Sequence, residues 1–436
     1  MTDLPPGRTG LPLIGETLPF VRNPYRFLED RHARRGNVFR SNVVGRRVVF
    51  LAGIEGAEAF YDPENITRED AHPFLLVDMF GGRNFEMYDG PKHLALKTIA
   101  LDAFDDRALA AYLPDMQRLV ERTLDRLAHR PDFSATGELR RLAIEAICGN
   151  VMGIPPGPET EAITRDYGIL LAGLAAPIPL RIPGTTYGRA MAARDRVLAR
   201  IREVVGARRA RPGPDGLSRM LAGEVDGVRY TDDDAVLEAH HIVMAGFVVY
   251  ALLAEVLRRL AEQPELRERC AREVEDLAVG DLTIERMERL STGLTVVMET
   301  KRLVPLVPLA FGRARRAFVC EGRTIPEGWR VYLALHLMNR DPTVYREPER
   351  FDPDRFAPPR EEHRADPMAF IPQGAGAPTG HRCLGLDYST TLALVFLTVA
   401  VRAFDWDLPP QVMDYDWSRR PPEPREGLRV VLRRRS

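Results

Sequence analysis

Cysteine is scarce in this chain: 436 residues hold four, Cys148, Cys270, Cys320 and Cys383, with no Cys-x-x-Cys pair and no metal-finger spacing. That excludes a disulfide framework and a structural zinc site, and it fits a reducing compartment. Neither sign of charge is in excess, with 61 Lys and Arg against 62 Asp and Glu and a formal net charge of −1. No basic surplus therefore points to nucleic acid, and the arginine-rich stretches Ala207 to Arg211 and Arg433 to Arg435 read as solvated ends. No apolar run reaches the roughly 18 residues of a membrane span; the longest, Ile242 to Leu253, contains Gly246 and Tyr250. Met1 to Arg8 lacks a basic-then-apolar signal. A phosphate-cradling Gly-x-x-x-x-Gly-Lys loop is missing, as is any flavin or nicotinamide fingerprint, which excludes a fused reductase. Linkers of low complexity, repeats and composition shifts are also absent. One cytoplasmic domain over residues 1–436 is expected, with a small-molecule partner and neither nucleic acid nor membrane.

What is present is ample apolar material, 45% hydrophobic residues against 28% charged. Strand signals stand at Asn37 to Leu51 around a Gly45 turn, so a β-rich N-terminal part is expected over about 37–65. Helical periodicity follows in Pro91 to Phe104, Ala108 to Leu127, Gly137 to Met152, Thr185 to Val205, Asp232 to Leu260, Pro264 to Leu277 and Ile284 to Leu303. This predicts a helical body over about 91–303. Thr231 followed by three aspartates makes an N-cap and an acidic first turn. Prolines 305 and 308 should stop the last helix, with short strands at Ala317 to Cys320 and Arg330 to Leu335 beyond. The fold class is mainly α with small β-sheets.

The decisive segment lies near the C-terminus. Phe370-Ile371-Pro372-Gln373-Gly374-Ala375-Gly376 leads through Gly380-His381-Arg382 to Cys383, and a long apolar helix, Thr391 to Val401, follows. Glycines and prolines make a tight loop there, and a nearby basic pair and helix start favour a thiolate, which is a metal ligand. An isolated cysteine is more often a buried structural residue. Two further segments argue otherwise here: Glu299 and Arg302 are three residues apart and share a helix face, and Phe351-Asp352-Pro353-Asp354-Arg355-Phe356 lies between them and the cysteine.

In this order the segments resemble the cytochrome P-450 superfamily. The resemblance implies a triangular-prism fold, haem b as cofactor, Cys383 as its iron ligand, a buried structural triad of Glu299, Arg302 and Arg355, and a meander and ligand loop over about 340–390. The loop before Cys383 is longer than in most members and looks like that of the branch that oxidises fatty acids with hydrogen peroxide. Phe60 to Glu64, Phe80-Gly81, Asp89-Gly90 and Arg419 to Pro424 look like that branch as well. By the same match His93, Lys97, Arg313 and His381 should face the haem propionates, two carboxylates that need cationic or hydrogen-bonding partners.

The same resemblance exposes departures. Members that use dioxygen carry an acid and a threonine after an Ala-Gly pair, to relay protons; Ala245-Gly246 is followed by Phe247-Val248-Val249. Fatty-acid peroxygenases carry Arg-Pro where this chain has Met244-Ala245, so no salt bridge to a fatty acid forms there. Glu86 stands where that branch has glutamine or histidine, either as an acid–base group beside the haem or as an ordinary exposed acid. Met244, Ala245, Phe247, Val248, Leu306, Val307 and Leu309 are expected to line a mostly apolar chamber with Glu86 as its acidic corner. Of the adjacent His240 and His241, one should be a polar core residue and the other exposed. The implied activity is that of a peroxygenase acting on an apolar or aromatic specialised metabolite without a redox partner. Three alternatives stand beside it: a cyclase or nitrene- or oxygen-transfer catalyst on an N–O or O–O bonded substrate, a conventional dioxygen-dependent monooxygenase, and a haem sensor without turnover.

Overall fold

Val48-Val49-Phe50-Leu51 is a continuous apolar run, which suits a strand covered on both faces. In the computed structural model, which describes residues 3–8, 10, 15–43, 45–176, 179–275, 282–304 and 306–435, it lies within a five-stranded sheet. The strand order is Val38–Val43, Arg46–Leu51, Arg330–Leu333, Ala310–Ala314, Ile66–Thr67. Val38 lies opposite Leu51 in an antiparallel pair, and Val48 lies beside Arg330 in a parallel one. Arg330 is in turn opposite Arg313. The register therefore gathers Arg46, Arg313 and Arg330 at one end of the sheet. Smaller sheets are built from Phe133–Ser134, Phe404–Asp407 and Arg429–Arg434, from Phe318–Cys320 with Arg323–Ile325, and from Tyr415–Asp416 with Glu423–Pro424.

Helices make up the rest of the core, and most of the expected ones are present with shifted ends: Gly90–Leu101, Asp106–Ala128, Thr186–Ala210 and Pro264–Glu275. Residues 276 and 277 of one expected helix, and Pro305, fall outside the described residues. Thr231 caps the helix Asp232–Phe247, its hydroxyl accepting from Asp234 N at 3.1 Å. Three expectations need correction. Asp232 to Leu260 is two helices, Asp232–Phe247 and Val249–Glu262, with a turn at Val248. Ile284 to Leu303 divides into Ile284–Met287 and Ser291–Leu303, and Gly137 to Met152 ends in a π-helical turn, Cys148–Met152. The helices Pro24–Arg35, Gly53–Tyr61 and Pro158–Ala172 were not anticipated; proline at the first position was the signal for two of them.

Asp232–Glu262 and Leu386–Ala403 are, by length and composition, long and apolar enough to cross a membrane, contrary to the reading of the apolar runs. Most of each apolar window, 83% and 72%, is buried inside the protein. Core burial thus accounts for their composition.

Glu299, Arg302 and Arg355 are all fully buried and bonded together. Arg302 Nε and Nη2 grip Glu299 Oε2 and Oε1 at 2.7 and 2.9 Å, and Arg355 Nε reaches Oε1 at 3.2 Å. Arg302 Nη1 also donates to the Asn339 and Pro348 carbonyls, both at 2.7 Å, and Arg355 Nη1 to Glu362 at 2.6 Å. Asp352 N donates to the same glutamate at 2.9 Å. Two guanidinium groups are balanced by two carboxylates, and the spare N–H groups hold residues 339–362 against the helix Ser291–Leu303. Glu299→Ala should destabilise the protein by about 3–5 kcal/mol, because the buried Arg302 loses its carboxylate and Arg355 keeps only Glu362. Urea unfolding of purified protein measures this; a loss below 1 kcal/mol, the range of an exposed pair, would contradict the account.

Candidate active site

The loop 370–385 is closed by its own backbone: Cys383 N donates to Gln373 O at 3.1 Å, and Gly380 N to Ala377 O at 2.9 Å. Gly374 and Gly376 adopt φ of +89° and +92°, a region glycine enters without strain. A side chain on Gly374 would also press on the Tyr61 hydroxyl at 3.1 Å. Cys383 is the one half-exposed cysteine; the other three are buried. Gln373 Nε2 lies 3.6 Å from its sulfur, and Ser389 Oγ lies 3.4 Å from Gln373 Oε1. Behind them Lys301 Nζ donates to Ser389 Oγ at 2.9 Å, to Thr390 Oγ1 at 2.7 Å and to Leu386 O at 3.0 Å. Burial pulls this lysine down to about 7.

The basic neighbours of this sulfur do not by themselves favour the thiolate. Burial pushes the Cys383 thiol up and the Glu86 charge adds to this, while Lys97, the Gly385 N–H and Lys301 pull in the other direction without prevailing. The adjacent pair is otherwise engaged, His381 with Asp89 at 3.2 Å and Arg382 with Asp387 at 3.7 Å. Deprotonation at this sulfur calls for a metal bound to it.

The helix Asp232–Phe247 carries His241, and the charge of Glu86 acts on both that histidine and the Cys383 sulfur. Between Ala235 and Phe247 every residue is buried except Leu237 and Ala245, so Ala245 opens onto a gap in an otherwise filled interior. His241, four residues earlier, and Val248, three later, share its face. His241 is buried, with Nε2 3.6 Å from Glu86 Oε2 and Nδ1 2.9 Å from Glu238 Oε1. Glu238 also accepts from Phe85 N at 3.2 Å, which fixes the short turn Phe85–Met87 that carries Glu86. Burial resists ionisation of Glu86, but His241, Lys97, His72 and His381 outweigh it and lower its carboxyl to about 2. For His241, burial is overcome by Glu86 and Glu238, which raise it above the ordinary 6.5. The reading of one exposed histidine is therefore corrected: His240 is also buried, its Nδ1 2.8 Å from the Tyr167 hydroxyl.

The chamber residues separate. Met244 is buried beside Ala245, and Val248 is half-buried at the turn. Phe247 lies some 200° around the helix from Ala245 and packs near Tyr167 and Tyr250, with centroids 6.3 and 5.6 Å away; its expected place in the chamber is corrected. Leu306 is buried in the helical core and Leu309 in the cluster beneath the sheet. Val307 is 44% exposed.

Along one edge the expected cationic groups meet, with an exception. His93 and His381 stack at 4.0 Å, His93 Nδ1 lies 2.9 Å from Phe85 O, and His93 Nε2 is buried without a partner. Lys97 Nζ donates to Arg382 O at 2.7 Å. Burial brings His381 down to about 4 despite Asp89. Arg313 is not in this group: half-buried on its strand, it donates to Glu69 O at 3.3 Å and lies beside Arg330. The buried Arg68 stands there instead, with its backbone N–H on Asp89 at 3.0 Å, Nη1 on Phe311 O at 2.6 Å and its charge acting on His381. The isolated arginine in Ile66-Thr67-Arg68 carried no motif that would have singled it out.

A sulfur in a rigid loop, a gap bounded by Ala245, and a rim of histidine and cation on one edge are the features a planar anionic metal cofactor needs. Residues 5–425 match the family model described as "Cytochrome P450". The chain belongs to the cytochrome P450 family. It is 27% identical to "Putative cytochrome P450 120" of Synechocystis over 98% of this chain and 96% of that protein. It is also 27% identical to "Abscisic acid 8'-hydroxylase 2" of Oryza sativa subsp. indica, over 98% and 86%. The solved structure "Retinoic acid bound cyanobacterial CYP120A1" superposes with a TM-score of 0.91 at 26% identity, over the full length of both chains. "Cytochrome P450EX alpha (CYP152N1) wild-type with myristic acid" gives 0.82 at 24% and shares the fold. This P450 is thus a mainly helical, single-domain haem enzyme whose cofactor is haem b. The residues present fit that group: Cys383 offers sulfur, and the unpartnered His93 Nε2 and the Lys97 and Arg68 charges offer partners for its carboxylates. Cys383→Ser should abolish the thiolate-type absorption band of the ferrous carbon monoxide complex, and a histidine-type band in the parent protein would refute the assignment.

Proposed function

We propose that this P450 uses hydrogen peroxide, or a substrate already carrying an activated oxygen, without an electron-transfer partner, and acts on an apolar or amphipathic metabolite. The observation carrying this reading is the contact of Glu86 Oε2 with His241 Nε2, 3.6 Å apart, on the wall facing Cys383, where Ala245 to Val249 offers neither acid nor alcohol. Cys383 would hold the iron, and His93, Lys97, His381 and Arg68 would hold the propionates. Bound haem supplies the redox and oxygen-transfer chemistry.

The chain's own residues must then move protons. At about 2, Glu86 is a fixed anion and a weak base at neutral pH, whereas an effective acid–base group lies near the working pH. His241 meets that condition. In this reading the Glu86 carboxylate accepts a hydrogen bond from the peroxide and orients it, His241 holds at Nε2 the proton to be donated to the departing oxygen, and Glu238 orients the ring through Nδ1. Met244 and Ala245 give no cation that would draw a substrate carboxylate to this wall.

A conventional monooxygenase is the second reading, favoured by the similarity to a hydroxylase over 98% of the chain. Turnover with peroxide alone is expected to exceed turnover with dioxygen and a reductase pair; strict dependence on the pair would reject the first reading. Glu86→Gln and His241→Gln should each slow peroxide turnover by about 10²–10⁴-fold while the thiolate band is retained, and unchanged rates would remove the pair from the chemistry. Because His241 is raised, its proton is present below 6.5 and is lost as pH rises through the higher folded value. The alkaline limb of kcat should therefore lie above 6.5, and Glu238→Gln should move it down; a limb that stays in place would show that Glu238 does not support this proton.

A further inference from the structure

A second feature lies at the end of the sheet where three arginines gather. A cavity of about 830 Å³ opens there, lined by Val43, Phe74, Val77 and Tyr332 and by four arginines, Arg46, Arg181, Arg194 and Arg330, against two aspartates, Asp70 and Asp78. The arginines differ in their engagement. Arg194 Nη1 pairs with Asp78 at 3.1 Å, and Arg181 pairs with the same carboxylate. Asp70 is held by Arg83 at 3.2 Å. Among the described residues Arg46 and Arg330 have no carboxylate within ion-pair distance, and Arg330 Nη1 is buried with no hydrogen-bond partner. Burial lowers Arg330, and the charges of Arg46 and Arg313 lower it further.

Buried donors with no acceptor cost free energy and are rare in folded proteins. Next to a cavity, such a donor is most simply explained by a ligand oxygen. His72, which also lines the cavity, repeats the pattern with its buried, unpartnered Nδ1. It also connects the two regions, since it lies close enough to Glu86 and His241 for their charges to act on it. His72 thus stands between the cationic, apolar-walled cavity and the acidic Glu86.

We infer that Arg330 and Arg46 bind the anionic terminus, a carboxylate, of an elongated apolar substrate at the cavity mouth. This deepens the proposed function and rests on its reading of a small-molecule pocket before Cys383. The field along the cavity orders the substrate: the carboxylate stays at the arginine end, away from Glu86, and the apolar end points to the reacting centre. A planar guanidinium suits this role because it can meet both carboxylate oxygens at once. Oxidation should fall at a carbon remote from the acid group, since Glu86 and Glu238 already take the charge of His241 and leave their wall net negative.

The test is equilibrium titration of the haem-loaded protein with two matched pairs, retinoic acid with retinol and hexadecanoic acid with hexadecanol, read by the haem difference spectrum. This reads no turnover, so its failure is separate from failure of the peroxide reading. At least one acid should bind about tenfold tighter than its alcohol, the advantage expected of a charge-assisted hydrogen bond. In Arg330→Gln/Arg46→Gln that preference should disappear while the thiolate band remains. Arg46 is exposed at the start of its strand, so Arg46→Gln alone should weaken acid binding by a few-fold without threatening the fold. No preference for either acid in the parent, or a preference that survives both the single and the double variant, overturns the proposal.

Discussion

The constraint on which this fold depends is the burial of charge around Glu299. One carboxylate takes Arg302 through two parallel bonds and Arg355 through a third, and Glu362 completes a neutral cluster with no exposure in its central three members. In a low-dielectric interior such a group is stable only when every donor and acceptor is used. The leftover N–H groups therefore fix the carbonyls of Asn339, Pro348 and Arg350, and a stretch with little regular structure becomes rigid. The Cys383 loop follows that stretch, held by Tyr345, whose hydroxyl donates to Ala369 O at 2.9 Å.

Around that frame the site is a gap between two walls with different electrostatics. The cysteine wall is backed by Lys301 and Gln373, which place hydrogen-bond donors behind the sulfur. The opposite wall carries the Glu86, His241 and Glu238 series, with a net negative charge when His241 is protonated. The histidine and cation rim lies at one edge of this gap, and the arginine-lined cavity lies at the end of the sheet. In the proposed reading a substrate is sorted by where it carries charge, and not by apolar volume alone.

Much of the frame was legible in the chain. Glu299, Arg302, Arg355 and Cys383 stand in segments whose spacing is tied to local geometry: a shared helix face, a proline-led turn, a glycine loop. His93, Lys97 and His381 likewise meet at one edge as expected from their motifs. The turn at Val248 was not legible, because Met244 to Tyr250 is apolar throughout and periodicity does not register a break in such a run. Arg313 illustrates a different limit: the resemblance set it at the haem rim, but pairing with Arg330 turned it toward the sheet end, and Arg68 stands at the rim after another strand.

By itself the sequence determined the family, the fold class, the cofactor and the cysteine that faces the gap, because these rest on residues close together in the chain or on composition. Tertiary structure alone decided which polar groups oppose one another. That His241 is buried against Glu86, that Phe247 turns into the core, and that Arg330 keeps an unpaired nitrogen beside a cavity follow from helix rotation and strand register across some hundred residues or more. Electrostatic coupling acts through space, so no window along the chain contains it.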